Sequence, residues 1–230
     1  MSNQLLKGKK GIIFGALDEK SIAWKTALAC HAQGAEIVLS NAPIALRMGE
    51  INKLSEQINA PVIGADVTNM DDLKNLFTES MKHFGGGIDF ILHSIGMSIN
   101  LRKGKGYTEI DYGFNQKTFD ISAMSLHRVL RTAWDMDALN EWGSVVALSY
   151  IAAQRVFPDY NEMADAKAAT LDADLFISIG SSLQVFPAAG FPVLASQNRT
   201  PADQRGALGG GGLAPRGRRD LWRGVAHRHA

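Results

Sequence analysis

Cysteine is almost missing from this chain of 230 residues, and Cys30 is the only one. No disulfide can form within the chain, and a zinc site built on several cysteines is excluded with it. Cys30 follows Ala27, Leu28 and Ala29 in a helical pattern, which predicts a small buried hydrophobe rather than a reactive thiol. Net charge is nearly absent as well, at +1. That balance gives nucleic acid or an anionic membrane surface nothing to hold, so the expected partner is a small molecule. The opening MSNQLLKGKKG lacks the apolar core of a secretory signal, and no run of about 18 apolar residues suggests a membrane span. The expected location is cytoplasmic, with no membrane and no nucleic-acid partner.

Lysine disappears partway along. All twelve lysines lie at or before Lys167, whereas seven of the twelve arginines lie between Arg199 and Arg228. The last segment, RTPADQRGALGGGGLAPRGRRDLWRGVAHRHA, has a four-glycine run and almost no hydrophobic periodicity, which predicts a disordered tail over 199–230. A basic tail can bind nucleic acid. An untethered tail is the plainer reading and the one adopted.

Residues 9 to about 170 alternate short apolar, β-branched runs with longer stretches of helical period. The runs are GIIFG (11–15), EIVLS (36–40), PVIGA (61–65), IDFILHS (88–94) and SVVALSY (144–150). Near-continuous apolar strands of this kind suit a parallel sheet covered on both faces. Ser21 is placed to cap a helix running to about Gln33, with Gly34 as its left-handed stop. Helical spacing recurs over 43–59, from Met70 to Phe84, and over roughly 112–138. The predicted fold is α/β, a Rossmann-type doubly wound parallel sheet whose strand ends carry the ligand.

Several segments carry polar residues where that ligand would lie. GALDEKSIA (15–23) follows the first strand and opens the first helix, where backbone N–H groups and the positive helix end can hold a pyrophosphate. Ser21 and Ile22 stand where a G-x-G-x-x-G pattern would have glycines, so a plain strand-to-helix turn is equally admissible. Asp66, ending the third strand, can accept from an adenine amino group while Val67 packs on the ring; alternatively, Asp66 caps the next helix. The second strand ends in Ser40-Asn41 with no acid for a ribose hydroxyl, so NADH and NADPH both stay open. In HSIG (93–96), His93 on an apolar strand reads as a satisfied core residue rather than an acid or base, and Ser94 and Ile95 follow it toward the ligand.

LSYIAAQRVFPDYNEMADAKA (148–168) holds Tyr150, Tyr160 and Lys167. Asp159 with Glu162 three residues later reads as a helix entry of the capping-box kind. A seven-residue spacing puts Tyr160 and Lys167 two turns apart on one face, about 10 Å along the axis, where both can reach one ligand. A phenol beside an ammonium has its pKa lowered and donates more strongly to a developing oxyanion. An exposed helix face carrying Tyr and Lys is the competing reading of that spacing.

Taken in order, GALDEKSIA, DVT (66–68), HSIG, LSY and Tyr160-x6-Lys167 resemble the enoyl-acyl carrier protein reductases of the short-chain dehydrogenase superfamily, over residues 1 to about 169. The six-residue gap differs from the superfamily's usual Tyr-x3-Lys. The resemblance implies hydride transfer from NADH, with NADPH not excluded, to C3 of a trans-2-enoyl thioester on acyl carrier protein. It makes Tyr160 the donor to the thioester oxygen, Lys167 the ribose contact, and Tyr150 part of the acyl site. It puts Gly15, Ser21 and Ile22 at the pyrophosphate, Asp66 and Val67 at adenine, Ser94 and Ile95 at the nicotinamide end and Ser98 near the substrate, with no metal. It also implies a homo-oligomer built through the helices at 112–138 and after Tyr160.

Beyond about residue 169 the family's pattern stops. DADLFISIGSSLQVFPAAGFPVLA (172–195) instead resembles a sirtuin strand and its Gly180-Ser181-Ser182 turn, without the rest of a sirtuin. The expected organisation is a reductase domain over 1–170, a sirtuin-like fragment over 171–198 whose DLFISIG docks as a surrogate sixth strand, and the tail.

Overall fold

A computed structural model describes residues 4–149 together with Glu162, Met163, Asp165 and Ala166. Its sheet has five parallel strands in the order β3-β2-β1-β4-β5. These are β1 (Lys10–Phe14), β2 (Glu36–Asn41), β3 (Val62–Gly64), β4 (Ile88–His93) and β5 (Leu139–Ala147). Side chains alternate faces along a strand, so each strand feeds two cores. Ile12, Phe14, Val38 and Ile91 pack on one side with Leu73, Leu76, Phe77 and Val129. Ile13, Ile37, Leu39 and Leu92 pack on the other with Trp24, Ala27, Leu54 and Ile58. Sandwiching between two helical layers explains why the strands read as unbroken apolar runs.

Helix α1 (Ile22–Ala32) starts at Ser21, whose hydroxyl accepts from the Trp24 N–H. It stops at Gly34, where φ is +90°, a conformation that glycine adopts without steric cost. Both ends match the sequence reading. The helix expected over 43–59 is instead two, α2 (Pro43–Met48) and α3 (Ile51–Ile58). Gly49 is extended between them, at φ −98° and ψ 179°, so the hydrogen-bond ladder breaks although the apolar period runs on. Helix α4 (Met70–Phe84) has the expected bounds, and its cap is Asn69, which accepts from the N–H groups of Asp71 and Asp72.

The long helix expected over 112–138 is α6 (Tyr112–Phe119), a π-helical segment (Asp120–Met124) and α7 (Ser125–Asp135). A short helix α5 (Ile99–Arg102) precedes it. Strand β5 begins at Leu139, five residues before the expected Ser144. Its first half pairs through a register shift between Ile88 and Phe90 and includes Trp142 at φ +63°. The polar and exposed run from Asn140 to Trp142 hides that half of the strand from a hydrophobicity pattern. Cys30 packs at the edge of the α1 core, and burial pushes its thiol pKa up, as expected of an inert cysteine.

Candidate active site

Strand registers align the five carboxyl ends. Phe14 stands beside Ser40 on one side and His93 on the other, Ser40 beside Ile63, and His93 beside Ala147. Gly15, Asn41, Asp66, Ser94 and Leu148 therefore emerge at one edge of the sheet. The chain runs from β1 outward to β3, then returns to the other side of β1 as β4. That reversal opens a crevice between β1 and β4, the place where ligands of open α/β sheets bind.

Gly15 sits in the crevice at φ +88°, and a Cβ there would collide with the backbone carbonyl of Ser94. Two loops nearly eighty residues apart in sequence thus meet at a position that admits only glycine. Past Gly15 the chain folds on itself locally. Asp18 Oδ1 accepts from the N–H groups of Lys20 and Ser21, and the Ser21 hydroxyl donates to the Asp18 carbonyl at 2.8 Å. The first turn of α1 has no acid, whereas α4 carries Asp71 and Asp72 in its own. The N-terminus of α4 is thereby neutralised by its own side chains, while the acid beside α1 is Asp18, whose carboxylate accepts from the Ser21 N–H. Ile22, the first residue of α1, is 64% exposed, an apolar side chain at the mouth of the crevice.

Asp66 is exposed, and its Oδ1 accepts from the N–H and hydroxyl of Thr68. It does not cap α4, since Asn69 does; of its two sequence readings the capping one fails because a three-residue turn lies between Asp66 and the helix. Val67 is buried in the α4 core. Asn41 ties the edge together by donating from its side-chain amide to the Ala16 carbonyl and accepting from the Ala42 N–H.

His93 is a core residue, as expected: it is 1% exposed, and its Nε2 lies 2.8 Å from the Ser125 hydroxyl. Ser94 and Ile95 are half-buried, and Ile95 packs against the α4 core. The π-helical segment turns Ser122 toward the same loop. Its hydroxyl accepts from the Met97 N–H at 3.0 Å and donates to the Met97 carbonyl at 3.1 Å. A π-turn shifts the register of a helix, so Ser125 can meet the end of β4 at His93 while Ser122 meets the loop after it.

Ser98 caps α5 by accepting from the Leu101 N–H. It also donates to the carboxylate of Glu162, which is 3% exposed. The same carboxylate accepts from the Asn100 N–H at 3.2 Å, the Asn100 side-chain amide at 2.5 Å and the Thr118 hydroxyl at 2.9 Å. Burial alone pushes the Glu162 pKa up, but hydrogen bonds from Ser98, Asn100 and Thr118 outweigh it and hold the carboxyl below its ordinary value. Asp159, the other half of the capping box expected from the sequence, lies outside the described residues, and both Glu162 oxygens accept from these donors. Asp165, on the same helical turn, is exposed.

Tyr150, Tyr160 and Lys167 lie outside the described residues, as do the sirtuin-like stretch and the arginine-rich tail. The structure brings together Gly15 with Ser94, Ser21 with Ile22, and Ser98 with a carboxylate that sequence reasoning had assigned elsewhere. It adds Asn41, Asn100, Thr118, Ser122 and Glu162 to the residues around the crevice. Glu162 apart, none carries a local signal: each is an ordinary polar residue that, besides nearer contacts such as Asn100 with Asp111, has a partner 25 to 64 positions away. Among the described residues, no helix is long and apolar enough to cross a membrane.

A family model described as enoyl-(acyl carrier protein) reductase matches residues 15–173. The chain is 36% identical over 171 residues to the enoyl-[acyl-carrier-protein] reductase [NADH] FabI of Rickettsia bellii, covering 74% of this chain and 63% of that protein. It is 34% identical over 166 residues to enoyl-[acyl-carrier-protein] reductase [NADH] 1 of Rhizobium meliloti, covering 72% and 60%. The crystal structure of a FabI–NADH complex from Alistipes finegoldii superposes with a TM-score of 0.72 at 56% identity, over 73% of this chain and 59% of that one. The chain thus spans about three fifths of the length of the curated relatives it matches.

Proposed function

Because the chain belongs to the enoyl-[acyl carrier protein] reductase family of short-chain dehydrogenases, we propose that it reduces trans-2-enoyl thioesters on acyl carrier protein with NADH, in the cytoplasm. The observation that carries the reading is the meeting of Gly15 and Ser94 at the sheet reversal, where only a residue without a Cβ lets the two loops approach this closely beside the crevice. NADH fits what surrounds it. The N-terminus of α1, capped by Ser21 and with no acid in its first turn, would take the pyrophosphate with Ile22 beside it. Asp66 and Val67 would meet the adenine, and Ser94 and Ile95 the nicotinamide end. The two relatives above carry NADH in their names and the superposed structure is an NADH complex; NADPH is the alternative reductant.

When bound, the nicotinamide supplies the hydride that goes to C3 of the enoyl thioester. Tyr160 donates a hydrogen bond to the thioester oxygen while negative charge grows there, stabilising the enolate. Lys167 holds the nicotinamide ribose and keeps the phenol's pKa low through its positive charge. Tyr150 lines the acyl site and assists delivery of the proton that the enolate takes up at C2, with Ser98 at the substrate end. No metal takes part in this scheme.

A second reading, favoured by the departure from the family beyond residue 173, is a protein that binds NAD(H) without turnover. In that reading the sirtuin-like stretch at 172–195 stands in place of the family's later elements. Following loss of NADH absorbance with a crotonyl thioester separates the two. The reductase reading expects turnover that Tyr160→Phe lowers by about 10²-fold or more; equal rates for the two chains would defeat it. NADH should raise the melting temperature under either reading. A comparison of NADH with NADPH in the same assay identifies the reductant, and mass in solution gives the oligomeric state, for which a homo-oligomer is proposed.

A further inference from the structure

Tyr160 and Lys167 must hold one orientation toward substrate and cofactor, and nothing in the scheme above says what holds them. Glu162 lies two residues after Tyr160, and Ala166 directly before Lys167. Glu162 is 3% exposed and Ala166 is fully buried, both in helical conformation. Two of the residues between Tyr160 and Lys167 in sequence are thus held inside the fold.

The grip is polar. Glu162 accepts from Ser98 and twice from Asn100, both at the start of α5, and from Thr118 on α6. All these donors are neutral. Among the described residues only these fill its lone pairs, and a carboxylate withdrawn from water is costly unless they are filled, so the arrangement tolerates little displacement. Asn100 is itself fixed, because its amide donates to the Asp111 carbonyl at 3.0 Å and accepts from the Asp111 N–H at 2.9 Å. It cannot turn its amide over without losing both bonds to the chain before α6.

We propose that Glu162 is a positioning residue: its buried carboxylate anchors the stretch between Tyr160 and Lys167 in sequence to the start of α5 and to α6, and through it sets where those two residues act. The proposal rests on the reductase reading given above. It works through connectivity, since two peptide units keep the Cα of Tyr160 within about 7 Å of that of Glu162. A displacement near 1 Å at the reacting groups is enough to lower a rate by about 10²-fold.

Glu162→Gln is the sharpest probe. The amide keeps the size and one acceptor oxygen, but its NH2 group meets the Asn100 NH2 that now donates to Glu162. With the full-length chain, NADH and a trans-2-enoyl thioester, kcat of Glu162→Gln is expected to fall about tenfold or more, while both KM values stay within about threefold. Glu162→Asp, which restores the charge, should recover part of that loss. Thr118→Val removes one donor from the α6 side without touching the helix and should lower kcat by about threefold at unchanged KM, a readout that survives if Glu162→Gln does not fold. Wild-type kcat in folded Glu162→Gln or Thr118→Val, or no recovery in Glu162→Asp, would overturn the assignment and leave the reductase reading intact. A wild-type chain without turnover would instead overturn the reductase reading, and this inference with it.

Discussion

The two halves of the crevice are built by different kinds of contact. On the side of β1 to β3, polar groups are mostly satisfied by near neighbours in sequence. Asp18 serves Lys20 and Ser21, Ser21 serves Trp24, Asp66 serves Thr68, and Asn69 serves Asp71. On the side of β4 and the helices after it, partners lie far apart in sequence: Met97 with Ser122, His93 with Ser125, and Glu162 with Ser98, Asn100 and Thr118. The first half is a set of local turns on a hydrophobic scaffold. The second is a network that exists only once distant segments have docked. Asn41, reaching back to Ala16, is the long-range contact of the first half, and it too bridges two strand ends.

If that division is right, cofactor affinity should answer to the first half and turnover to the second. The largest effect is expected from Gly15→Val, where a β-branched side chain must take φ +88° and strike the Ser94 carbonyl. A loss of about 3 kcal/mol or more in unfolding free energy, together with disappearance of the NADH-induced thermal shift, is the expected result. Retained NADH stabilisation would mean that the crevice is not the cofactor site.

The second half should carry the acid sensitivity. Glu162 has its pKa lowered, burial being outweighed by four hydrogen bonds. A carboxyl depressed in the folded state contributes stability above its unfolded pKa, about 4.3 for Glu. That contribution is lost as pH falls through the folded value. Asp89 behaves alike: burial raises it, but the Lys10 N–H, the Lys9 ammonium and the Asn140 amide lower it further. Urea midpoints of the wild type should therefore drop steeply below about pH 4.3, and Glu162→Gln should flatten that fall while costing stability at neutral pH. Parallel curves for the two proteins would show that the carboxylate is not charged where it is buried.

Ser122→Ala removes both bonds to the Met97 backbone. About 1–3 kcal/mol of stability should be lost, with kcat lowered and the NADH KM unchanged. A change in NADH KM alone would blur the boundary between the halves. The smallest effect is expected for Ser21→Ala, which strips the α1 cap and should cost about 1 kcal/mol in a denaturant melt. It should also weaken NADH binding, because the first turn of α1 is the pyrophosphate end of the crevice.

The same division decides how much could be read before the structure was known. The strands were legible because burial on both faces leaves continuous apolar runs, and the ends of α1 because Ser21 and Gly34 act on their own neighbours. Asn69 as the cap of α4, the break at Gly49 and the early start of β5 were not. In each, an equally good local alternative existed, and packing chose between them. Asp66 could cap by composition, an apolar period can run through a break, and LNEWG has no strand pattern. Glu162 is the clearest case. The sequence reads this acid only from Asp159, three residues before it, and no local pattern points to Ser98, Asn100 or Thr118, whose arrival makes it a buried anchor.

By itself, then, the sequence determined the layered α/β fold, the edge at which the ligand crevice opens, and the glycine on which that crevice depends. These follow from hydrophobic period and from backbone conformations that few residues tolerate, both readable one segment at a time. Tertiary structure alone decided which polar side chains brace the crevice. A buried hydrogen bond between residues 25 to 64 positions apart is a property of two segments in contact, and neither segment records it.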